Sequence, residues 1–104
     1  MDTVKVGPLS YTIEDVDGLT DEDQEIFGCC FVSDCRMQLR GGLKPPVRAV
    51  TLWHEIMHAI LVHAGFDDPY ERIVGALSHG VVGVLQENPE LLADLGVPEG
   101  VVIG

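Results

Sequence analysis

An α+β domain, with one small antiparallel sheet packed against two main helices, is the fold class this sequence predicts. Three observations carry it. Apolar residues alternate with polar or small ones up to about Arg40. From about Val47 the apolar spacing changes to three- and four-residue steps, and strands followed by helices in separate blocks are the mark of an α+β arrangement. The length of 104 residues suits one domain, 1–104, with a single modest core.

The first strand region contains Val4, Val6, Leu9, Tyr11 and Ile13, broken by Gly7-Pro8, and reads as a strand or bent strand pair up to about Val16. An acidic loop follows. Phe27–Val32 is the next strand, with Phe27, Cys29 and Phe31 on one face. Ser33-Asp34 reads as a hairpin turn, and Cys35–Arg40 returns with Cys35, Met37 and Leu39 alternating. Gly41-Gly42 and Pro45-Pro46 break the pattern. A helix then spans about Val47–Ala64, with Val50, Trp53, Met57, Ile60 and Ala64 as the expected buried face and Gly65 as its C′ residue. Asp68 as N-cap, Pro69 at the first helical position and Glu71 two residues later open a second helix that runs to about Glu87. Asn88-Pro89 ends it and starts a third, Pro89–Leu95, which stops at Gly96.

Composition excludes several functions. Seventeen Asp and Glu against six Lys and Arg give a net charge of −11, which opposes contact with nucleic-acid phosphates and anionic membranes. The acidic run from Glu14 to Glu25 reads as a solvated loop; an EF-hand is excluded because Gly18 falls at the wrong place after Asp15 and Asp17. No segment resembles a signal peptide or a membrane span, so a cytoplasmic protein is expected. Three cysteines, Cys29, Cys30 and Cys35, are an odd number without paired Cys-x-x-Cys arms, and are expected to be reduced and structural.

The chemistry lies in His54-Glu55-Ile56-Met57-His58. Residues four apart share one helix face, so two imidazoles can converge on one tetrahedral Zn²⁺. Glu55 lies roughly 100° round the helix. There it flanks the metal and can take a proton from zinc-bound water and pass it to a leaving amine. A third protein ligand is required. His63 is nine positions beyond His54, about 180° round the same helix, and points away. Glu71 is the better candidate, since a helix hairpin brings the first turn of the second helix back towards the metal, with Gly75 and Ser78 small enough to allow close approach. The other reading of Glu71 is a capping-box glutamate. His79 and Tyr70 are secondary candidates for polarising a substrate carbonyl, each also readable as an ordinary core or surface residue.

The segment from Thr51 to Ile60 resembles small phage and actinobacterial proteins with an LWHExxHAI active-site helix. The opening Lys5-Val6-Gly7-Pro8-Leu9-Ser10-Tyr11 and the close Leu85-Gln86-Glu87-Asn88-Pro89-Glu90-Leu91 resemble theirs as well. These proteins are similar to minimal gluzincins and to ImmA/IrrE-type regulatory metallopeptidases. The resemblance implies a zincin-like core, a glutamate ligand from the second helix at Glu71, and zinc-dependent hydrolysis of a peptide or protein substrate. A non-catalytic, zinc-stabilised phage accessory or interaction protein is the alternative, and Glu55 separates the two, because a closed structural site has no use for a general base.

Overall fold

In the computed structural model, residues 2–66 and 71–94 are described, apart from the side chain of residue 92. Strands β1 (Thr3–Val6) and β2 (Leu9–Val16) form an antiparallel hairpin around Gly7-Pro8, with Val6 opposite Leu9. Gly7 takes φ +57°, a left-handed conformation that glycine adopts without a Cβ penalty. The acidic segment is not a plain loop. It holds a miniature hairpin of β3 (Thr20–Asp21) and β4 (Gln24–Glu25), whose turn places Glu22 and Asp23 at φ +50° and +66°. Arg40 anchors this segment, its guanidinium donating to the carbonyls of Ile26 (3.0 Å) and Leu19.

β5 (Gly28–Phe31) and β6 (Arg36–Arg40) pair antiparallel. The turn between them is longer than Ser33-Asp34 alone. It includes Cys35, at φ +53°, whose N–H donates to Val32 O at 3.2 Å. The expectation of an antiparallel sheet is corrected: the strand order is β1-β2-β6-β5, and β2 runs parallel to β6. Met37 and Leu39 are completely buried, whereas β5 is only partly covered. The more apolar member of the hairpin therefore takes the inner position next to β2, and β5 is left at the edge.

α1 (Pro45–His63) follows, with Lys44 as N-cap and prolines in its first turn, where missing N–H groups cost nothing. Gly65 follows its C-cap residue Ala64 at φ +97°, as expected of a C′ glycine. The expected buried face is corrected. Thr51, Glu55, Ile56 and Ala59 are the buried positions, whereas Ile60 is 42% exposed. At ~100° per residue the two sets lie on largely opposite sides of the helix. The helix is covered by the sheet, and Val6, Tyr11, Met37, Ile56 and Ala59 form the shared core.

α2 (Glu71–Glu87) packs on α1 through Val74, Ser78 and Val82. Thr51 and Ser78 can be buried because each hydroxyl donates to a carbonyl one turn back, at 2.8 and 2.7 Å. Gly75 does not serve the close approach expected of it, since a Cβ there would meet nothing within 4 Å. α3, Leu91–Asp94, starts two residues later than expected, and its expected end at Leu95 lies outside the described residues. The proposed helix start at Asp68-Pro69, together with Tyr70 and the chain beyond Asp94, lies outside the described residues. The molecule is thus a small α+β fold with a mixed sheet, and no helix among the described residues is long and apolar enough to cross a membrane.

Candidate metal centre

The four-residue spacing on α1 brings the rings of His54 and His58 together at 4.8 Å between centroids, with Nε2 atoms 3.1 Å apart. Glu71, in the first turn of α2, closes the group. Its Oε2 lies 2.8 Å from His54 Nε2 and its Oε1 2.9 Å from His58 Nε2. Both carboxylate oxygens therefore face the histidines. Burial holds the His58 pKa below its ordinary value, with Glu71 opposing and His54 assisting. The neutral imidazole that results is the form that ligates metals.

These three contacts cannot all be hydrogen bonds of neutral imidazoles. A neutral imidazole carries one N–H, so if each Nε2 donates to Glu71, the 3.1 Å contact sets two donors face to face. A tetrahedral zinc set, at ~2.0–2.1 Å from the ion, has its donor atoms roughly 3.3 Å apart. The observed spacings of 2.8, 2.9 and 3.1 Å are shorter than that value, and the two to Glu71 involve different carboxylate oxygens. His54, His58 and Glu71 could together hold a metal ion.

Glu55 is 5% exposed and borders the same cleft, which has a volume of about 490 Å³. Burial, followed by the charge of Glu71, raises its pKa from 4.5 to about 8. The burial depends on Gly28. A Cβ at that position would stand 2.8 Å from Thr51 Cγ2 and 3.1 Å from Glu55 Oε2. The lack of a side chain at Gly28 thus lets β5 lie against the helix that carries His54 and His58. A glycine inside a strand pattern is the sequence sign of such an approach, and it was open to reading. Asp21, from the miniature hairpin, also lines the cleft, and nothing in the local sequence pattern identified it.

The remaining candidates fall elsewhere. His63 faces away from the cluster, its Nε2 2.9 Å from the hydroxyl of buried Tyr11. His79 is exposed and lines a neighbouring hollow with Phe27 and Glu55. Cys29, Cys30 and Cys35 are free thiols. Burial and then the charge of Glu55 push Cys30 up to about 12, so it stays protonated and unreactive. Comparison of the chain with protein-family models, curated proteins and solved structures gave no match.

Proposed function

We propose that this chain is a minimal zinc-dependent peptidase with a zincin-like core, in which His54, His58 and Glu71 hold the metal and Glu55 is the general base. The convergence of two imidazole nitrogens and both oxygens of one carboxylate within 2.8–3.1 Å carries this reading. Zinc held there supplies Lewis acidity towards a carbonyl and a positive charge that draws Glu55 into its ionised, proton-accepting form. Glu55 then accepts a proton from an attacking water and returns it to the departing amine. A peptide substrate has a place to lie: among the described residues β5 pairs only with β6, it contributes Gly28, Cys29 and Cys30 to the cleft, and an edge strand of this kind can accept an added strand.

The buried carboxyl favours an enzyme over a zinc-stabilised interaction protein. Burying Glu55 opposes its ionisation and costs stability, a cost that a purely structural site has no reason to bear. The test is Glu55→Gln. The variant should keep its fold and about one zinc per chain, while hydrolysis across a broad peptide library falls by roughly 10²–10⁴-fold. Undiminished hydrolysis by Glu55→Gln would refute the mechanism.

A further inference from the structure

Glu55 stands at the divide between two hollows of different chemistry. The metal cleft on one side includes the carboxylates of Asp21 and Glu71. On the other side, a passage of about 270 Å³ shares Gly28, His54 and Glu55 with that cleft. It runs past Thr51 and His79 into a recess of about 470 Å³ walled by Phe27, Pro46, Val47 and Val50.

In a chain with a net charge of −11, the recess has no carboxylate among the described residues that line it, and its walls are mostly apolar. Phe27 is 59% exposed and Val47 37% exposed. Their uncovered apolar surface gains from contact with an apolar group. Phe27 immediately precedes β5, so the recess opens beside the edge on which a peptide would lie. Side chains of an extended peptide alternate in direction, so such a peptide can lay its backbone past Glu55 and turn one side chain through the passage. Gly28 borders the passage, and any side chain there would crowd it, since a Cβ would stand 3.1 Å from Glu55 Oε2.

We infer that this recess receives an aliphatic or aromatic side chain of the substrate, next to the bond that is cut, and that Phe27, Val47 and Val50 set the preference. The inference rests on the peptidase reading above and names its substrate class: polypeptides with a bulky apolar residue at that position.

The test uses zinc-loaded protein and amino-acid hydroxamates, which anchor on an open metal position and differ only in side chain. Leucine and phenylalanine hydroxamates should bind ~10-fold or more tightly than the glycine compound, the discrimination expected of an apolar pocket. Val47→Asp, a change at a partly exposed position, should keep its zinc, erase that advantage and favour the lysine compound. Equal affinity for every side chain, or a leucine preference that survives Val47→Asp, would overturn the recess while leaving the metal centre standing. Zinc-loaded protein that binds none of the hydroxamates would overturn the peptidase reading, and the recess with it.

Discussion

Replacing Glu55 by glutamine in the metal-free protein should remove a loss of stability that grows with pH. Glu55 is 5% exposed, and its carboxyl is raised from 4.5 to about 8, chiefly by burial. The unfolded chain ionises this group near its ordinary value, so folding takes up a proton across that interval. Below the ordinary value the buried carboxyl costs nothing. Its cost then rises with pH and levels off above about 8. At ~1.4 kcal/mol per tenfold change in proton affinity, the cost is about 1 kcal/mol at pH 5 and about 3 kcal/mol at pH 7. The parent should therefore lose about 2 kcal/mol between those pH values through this group alone. Urea unfolding of metal-free parent and Glu55→Gln at pH 5, 6 and 7 isolates the effect, because every other titratable group is common to both proteins. The two curves should diverge, with the variant the more stable at pH 7. Parallel curves would show that Glu55 is not buried as its neighbours Gly28 and Thr51 require.

Other perturbations probe different contacts. Gly28→Ala sets a methyl 2.8 Å from Thr51 Cγ2, so urea unfolding should show a loss of ~1–3 kcal/mol; an unchanged midpoint would contradict the close approach of β5 to α1. His54→Ala, His58→Ala and Glu71→Ala should each weaken zinc binding by well over ~10-fold, measured by chelator competition. His63→Ala should leave zinc affinity intact while costing ~1–3 kcal/mol of stability, because the hydroxyl of buried Tyr11 loses its partner. Loss of zinc in His63→Ala with retention in Glu71→Ala would reverse the ligand assignment.

Much of this arrangement was legible because it is local. Gly7-Pro8, Pro45-Pro46 and Gly65 punctuate the chain where strands and α1 turn, start or end. His54, Glu55 and His58 are related by helical spacing alone. What stayed hidden depends on distant partners. The parallel pairing of Thr12 with Arg36 joins strands from separate hairpins, and no period in the sequence records it. The buried face of α1 was misread because a glutamate and a threonine occupy it, and an apolar count assigns both to solvent. The miniature hairpin escaped because two-residue strands cannot show alternation, and Glu22 and Asp23 take positive φ without glycine.

The spacing of the ligands along the chain bears on the order in which the site assembles. His54 and Glu71 are 17 positions apart, and the entropic cost of closing a loop grows with its length. Metal capture needs only α1 and the start of α2. Desolvation of Glu55 needs β5 as well, through Gly28, and β5 is paired with β6 of the sheet. On the proposed peptidase reading, ion uptake and chemical competence are therefore expected to be separate events, governed by contacts of different range. During refolding in the presence of zinc, the metal should be taken up before hydrolysis recovers, and a simultaneous onset would contradict that order. On that reading, a chain caught between the two would hold the ion beside a solvated carboxylate, and the proposed competence would follow only when the sheet has docked.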